Sequence, residues 1–195
     1  MSTTESPSLS EALADVVGGL GKADDVALSS ASADELLTAL ATLDQIRNRV
    51  DGFASKLALG AETSGAVMRA GARNAAIVMG RDTSAVPAKT RADVRRGRWL
   101  LDFAQFAVAF ADGLLSGAHV DELRRCDRVE THGLLKRDQS DLVKAAETCT
   151  FADFKIVVQY WINAADPDGR LADEQERANQ LNLRRYSNGL SLIHI

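Results

Sequence analysis

Ser32 and Glu35 stand three residues apart, ahead of Leu36, Leu40, Leu43, Ile46, Val50, Phe53 and Leu57. The first two form a capping box, in which hydroxyl and carboxylate satisfy the free backbone N–H groups of a helix start. The apolar residues that follow recur at steps of three and four, the period of one helical face. Together they predict one long helix over about residues 33–59. So long an apolar face needs cover, either from another helix of the chain or from a second copy of it. Intramolecular core packing is the usual destination. The Leu36 to Leu57 helix is accordingly the candidate surface for a homodimer if its own chain leaves it uncovered.

The rest of the chain reads in the same period. Only 5% of the 195 residues are aromatic and three are proline, which favours helix over strand. The expected fold class is all-α: a multi-helix bundle with one long N-terminal helix and a helix-turn-helix-like segment, and possible entry into a β-strand near the C-terminus. Residues 1–31 are expected to be disordered or weakly helical, with Ser10 capping a short helix through Leu13 and Val17 that Gly18, Gly19 and Gly21 end. Residues 32–189 form the helical domain. Gly60 to Gly71 reads as a break. Ala72 to Met79 is a short helix closed by Gly80, and Pro87 starts a second helix that runs on to Ala107. Two helices joined by the polar turn Asp82-Thr83-Ser84 make the helix-turn-helix candidate. Ser116 caps a helix through Val120 and Leu123, another spans Leu134 to Ala146, and Thr150 caps Phe151 to Ala164. In that last helix Phe154, Val157, Val158, Trp161 and Ile162 form a core face. Leu181 to Tyr186, followed by Ser187-Asn188-Gly189, reads as a strand and its turn.

A net charge of -4 conceals a segregation. Residues 69–98 hold 8 basic and 2 acidic side chains, an island of +6 in a chain that is otherwise -10. Such asymmetry points to an anionic partner. The candidate nucleic-acid contacts are Arg73, Arg81, Lys89, Arg91, Arg95, Arg96 and Arg98, because planar, permanently charged guanidinium groups suit phosphate. The competing reading is that these cations pair with carboxylates of neighbouring helices. Few aromatic residues interleave with them, so a duplex backbone is preferred to stacked single strands.

Other motifs fail on spacing. Gly18-Gly19-Leu20-Gly21-Lys22 lacks the first glycine and the terminal Ser or Thr of a phosphate loop, where Val16 and Ala23 stand. Asp166 and Asp168 begin like a calcium loop, but Arg170, Leu171 and Arg177 occupy its later positions. His119, His132 and His194 have no neighbouring ligand pattern, and His119 fits a solvated or helix-end role. Cys126 and Cys149 lack metal-binding spacing and read as reduced, buried or half-buried thiols. No catalytic residue, metal ligand or cofactor is assigned. With neither an eighteen-residue apolar run nor a signal pattern, the chain is expected to be cytoplasmic and without a membrane partner.

From about Val50 to Gly189 the chain resembles the domain of unknown function 222, a family of GC-rich bacteria that commonly precedes an HNH endonuclease domain. The likeness rests on Gly71-Ala72-Arg73-Asn74-Ala75-Ala76, Thr90-Arg91-Ala92-Asp93-Val94-Arg95-Arg96, Gly113-Leu114-Leu115-Ser116-Gly117-Ala118-His119-Val120 and Asp166-Pro167-Asp168-Gly169, in that order. The 17 Arg against 6 Lys suit such a genome. The resemblance implies a DNA-binding helical region of an HNH endonuclease, with the divalent metal and the hydrolytic residues in a unit beyond this chain. It also implies that the chain is truncated after Gly189. Residues 190–195 then read as a foreign tail. The alternative is a helical interaction or dimerisation module with no nucleic-acid role.

Overall fold

The computed structural model describes residues 8–165, so the strand expected at Leu181 to Tyr186 and the Asp166 to Gly169 turn lie outside the described residues. Those described form an all-α fold of ten α-helices. The chain divides into two compact units, the first ending at Leu43 and the second beginning at Asp44.

The first unit contains α1 (Leu9–Asp24) and the opening turns of α2 (Ala33–Thr63). Ser8, not Ser10, caps α1: its hydroxyl accepts from the Glu11 N–H at 3.3 Å and its N–H donates to the Glu11 carboxylate at 2.7 Å. The helix runs through Gly18, Gly19 and Gly21, since none of the three takes the positive φ that would turn the chain. Glycine inside a helix weakens it by about 0.5–1 kcal/mol but does not break it. At the start of α2 the Ser32 hydroxyl accepts from the Glu35 N–H at 3.2 Å, the expected cap. None of the described residues of this unit is buried.

In the second unit α2 continues through Gly60 to Thr63. The interruption comes at Gly65 and Gly71, both at φ 72°, which bracket the single turn α3 (Ala66–Arg69). Asn74 caps α4 (Ala75–Asp82) by accepting from the Ile77 N–H at 3.0 Å, so the helix begins three residues later than expected. It also passes Gly80. After the turn, α5 (Pro87–Leu100) has proline in its first turn, where no N–H is needed. The expected continuation to Ala107 is broken: Phe103 leaves helical geometry at φ -128°, ψ 76° and is fully buried ahead of α6 (Ala104–Ala111). Then follow α7 (Gly117–Arg125), α8 (His132–Arg137), α9 (Gln139–Thr148) and α10 (Phe151–Ala165).

Phe103, Phe106, Phe110, Leu115, Val120, Leu123, Leu135 and Phe154 make the main core. At about 1.5–3 kcal/mol for each large side chain, this cluster is the chief source of stability. Trp99 stacks on Phe103 with ring centroids 4.3 Å apart, and its indole N–H donates to Asp127 at 2.7 Å. On α10, Phe154 and Val158 are buried while Val157, Trp161 and Ile162 are half-buried, as the predicted core face requires.

The long helix departs from expectation in the face it uses. Gly52 and Ser55 lie so close to neighbouring backbone that a Cβ at Gly52 would meet the Phe110 carbonyl oxygen at 2.7 Å. One at Gly97 of α5 would meet that of Ser55 at 2.6 Å. Gln45 and Asn48 side-chain amides donate to the Asp112 and Gly113 carbonyls at 3.3 Å each. A small and polar stripe therefore packs inward. The apolar stripe does not: Leu40 is 62% exposed, Val50 52%, and Leu36, Ile46, Phe53 and Leu57 all remain exposed. Intramolecular core packing of that stripe is thus corrected. No helix among the described residues is long and apolar enough to cross a membrane.

Candidate nucleic-acid interface

The basic island lies across α4, its following turn and α5, and the structure divides its seven predicted contacts into two groups. Arg81, Lys89, Arg96 and Arg98 are engaged with carboxylates. Arg81 pairs with Asp82 at 2.5 Å, and Arg98 reaches Glu62 at 3.4 Å. Lys89 donates to Asp51 of α2 at 2.8 Å and lies 3.6 Å from Asp93, one turn along its own helix. Its pKa is raised, chiefly by the Asp51 hydrogen bond.

Arg96 is the most enclosed of the seven, with a side chain 13% exposed. Its Nη1 donates to Asp93 at 3.1 Å, while Nε and Nη2 grip Asp121 of α7 at 3.1 and 2.7 Å. Burial works against its charge, yet the Asp121 hydrogen bond and the charges of Asp121, Asp93 and Asp51 outweigh it and raise the guanidinium pKa. Gly117 makes room for this group, since a Cβ there would stand 2.9 Å from the guanidinium carbon. The chain Asp51, Lys89, Asp93, Arg96, Asp121 therefore ties α2, α5 and α7 together. Sequence reasoning missed its acidic members. Asp93 sits inside the island at helical spacing from Lys89 and Arg96, a signal that was available.

Arg73, Arg91 and Arg95 differ. All three are exposed, and no carboxylate among the described residues lies within ion-pair distance of them. Arg91 and Arg95 are four residues apart on α5 and share its outer face, with Thr90, Asp93, Val94 and Gly97 turned inward.

His119 and His132 occupy structural positions, and His194 lies outside the described residues. His132 Nδ1 lies 2.8 Å from Asp127 and its ring meets the edge of Phe103 at 5.3 Å, closing over the tryptophan stack. His119 is the third residue of α7. The Ser116 N–H donates to its Nδ1 at 3.2 Å, and its own N–H donates to the Ser116 hydroxyl at 3.3 Å, which completes a capping box. The helix-end role expected of it holds, but its half-buried ring packs against Phe151 and Phe154, with Nε2 buried and unpartnered among the described residues. Burial lowers its pKa, opposed by the Asp44 charge. Protonation occurs more readily in the unfolded chain, so its stabilising contribution is complete above about pH 6.5 and is lost as pH falls through the folded value. Denaturation by urea at pH 7.5 and 5.5 should show lower stability at the acid pH, and His119→Gln should flatten that difference.

Cys126 is buried and its thiol pKa is pushed up to about 12 by burial and by Glu122, which leaves it no nucleophilic character near neutrality. Among the described residues no three His, Cys, Asp or Glu side chains group to hold a metal. No protein-family model, curated protein or solved structure matches the chain.

Proposed function

We propose that this chain is the helical region of an HNH endonuclease-like protein and that it holds duplex DNA by the phosphate backbone through the outer face of α5. The supporting observation is the selective freedom of Arg91 and Arg95. Lys89, Arg96 and Arg98 on the same helix are paired with carboxylates, so they are already neutralised. An arginine pair one turn apart, with no carboxylate partner among the described residues, keeps its charge for an anion outside the molecule. Guanidinium groups are the side chains best suited to phosphate, through paired, charge-assisted hydrogen bonds. Arg73 adds a third such charge at the approach to α4. The role of this region is positioning; the metal and the hydrolytic chemistry belong to an HNH unit.

Fluorescence anisotropy with a labelled duplex tests the assignment. Binding is expected at about 50 mM salt, weakening steeply as salt rises because neutralised phosphates release counterions. Arg91→Gln with Arg95→Gln should weaken it and reduce the slope of log K against log salt by about 1.8, the value for two lost phosphate contacts. Arg98→Gln should change it far less. An absence of binding at that salt concentration, or equal binding by the double variant, overturns the proposal.

A further inference from the structure

We infer that the cavity bounded by α2, α3, α4 and α5 is a binding site for a neutral, largely apolar small molecule that ends in a hydroxyl group. The cavity lies wholly within the second unit and measures about 470 Å³. An apolar cavity of roughly 150 Å³ is enough to take up benzene, and ligand pockets begin at about 300 Å³. The size follows from the residues that line it. Ala54, Ala58 and Ala61 share one side of α2, and Ala66, Ala70 and Ala75 contribute from α3 and α4. Longer side chains ordinarily fill the space between packed helices, and alanine at these positions leaves it open. Val67 and Val78 complete the apolar wall, while Leu57 and Met79 stand exposed at its rim.

The floor of the cavity is polar. Thr90 and Asp93 stand one turn apart on the inner face of α5 and both line it, at only 6% and 5% exposure. The Thr90 hydroxyl has no hydrogen-bond partner among the described residues. In the Asp93 carboxylate, Oδ1 accepts from Arg96 at 3.1 Å, but Oδ2 has only Lys89 Nζ at 3.6 Å, beyond hydrogen-bond length. A buried polar atom left without a partner is destabilising, and most such atoms have one. The fully enclosed side-chain atoms in that state among the described residues are His119 Nε2 and Arg124 Nε. The two α5 oxygens are therefore not sealed off, and they open into the cavity that their residues line.

This pair of oxygens selects the head group of the ligand. A single hydroxyl can donate to Asp93 Oδ2 and accept from Thr90, which satisfies both with one atom. A carboxylate has no proton to offer Asp93 and would place like charges side by side. An ammonium group is disfavoured because Lys89 and Arg96 already supply Asp93 with positive charge, and another cation would crowd them. An ether or a hydrocarbon leaves Oδ2 without a donor. The apolar wall takes the remainder of the molecule, so burial supplies the affinity and the two polar groups fix the orientation. The site lies on the opposite side of α5 from Arg91 and Arg95 and does not depend on their holding DNA.

Titration of the full chain, isotope-labelled at its methionine methyl groups, with n-hexanol tests the site by NMR. The Met79 methyl at the rim should shift saturably, at roughly millimolar concentration for so small a ligand. The exposed Met68, which does not line the cavity, should stay in place. Methyl pentyl ether has the same atoms but cannot donate, and it should bind about fivefold more weakly. Hexylamine and hexanoate should also bind more weakly than the alcohol. Thr90→Val keeps the shape and removes the hydroxyl, with an expected loss of about fivefold in affinity for the alcohol. Ala58→Leu fills the cavity and should abolish the shift while helical circular dichroism is unchanged; should that variant fail to fold, Thr90→Val carries the test. Absence of a saturable Met79 shift, or equal shifts at Met68 and Met79, overturns the site. Ether or amine binding as tight as that of the alcohol, or alcohol binding indifferent to Thr90→Val, overturns the hydroxyl assignment.

Discussion

Gly97→Ala is expected to destabilise the protein by about 2 kcal/mol, although alanine is the better helix former. Two effects of opposite sign compete at this position. In a helix interior the substitution gains roughly 1 kcal/mol from reduced backbone freedom in the unfolded chain. Against that, the new Cβ would stand 2.6 Å from the Ser55 carbonyl oxygen and 3.1 Å from the Leu59 Cβ. The first neighbour is backbone of α2 and cannot rotate away, so α2 and α5 must separate. Overpacking of this kind costs about 1–3 kcal/mol, and contact with main chain belongs at the upper end. Gly60, in α2 itself, supplies the control: a Cβ there meets nothing within 4 Å. Gly60→Ala should therefore stabilise by about 0.5–1 kcal/mol. Urea unfolding of the two variants should give changes of opposite sign. Equal stabilisation by both would show that α2 and α5 do not cross this closely.

What could be read from the sequence was local. Ser116, Thr150 and Ser32 cap helices where they were expected to, because a cap needs only a hydroxyl and an N–H two or three residues on. The end of α5 was not legible. Apolar residues on both sides of Leu101 to Phe103 keep helical spacing, and the break follows from burying Phe103 among Trp99, Phe106 and His132, contacts set by the fold. The inward face of α2 misled for a related reason. Its apolar stripe announces burial, whereas Gly52 and Ser55 bury by bringing backbones together, which an apolar pattern does not record. The basic island was visible as composition, but the distinction between Arg96 and Arg91 was not. It depends on Asp121, which lies 25 residues away and on another helix.

That distinction leads to the second large effect, Arg96→Met. Methionine conserves much of the aliphatic stem, so the loss is mainly of charge and hydrogen bonds. Asp93, whose side chain is 8% exposed, would be left with Lys89 at 3.6 Å as its nearest cation. Asp121 would lose both of its Arg96 contacts, and Arg124 at 3.9 Å is a distant substitute. Removing one member of a buried ion pair costs about 3–5 kcal/mol because the remaining charge is desolvated without compensation. The exposure of Asp121, at 37%, lets water recover part of this, which places the expected loss at about 2–3 kcal/mol. Adding Asp93→Asn should recover a fraction of it by removing the stranded charge, a non-additivity that isolates the pair. Arg91→Met and Arg95→Met, on the outer face, should each change stability by less than about 0.5 kcal/mol. The same helix thus separates two consequences of losing an arginine. At Arg96 the fold weakens. At Arg91 or Arg95 the fold stands, and only the proposed hold on duplex DNA is expected to fail. A comparable loss of stability at all three positions would mean that Arg91 and Arg95 also carry internal contacts, and the outer face of α5 would no longer be free for phosphate.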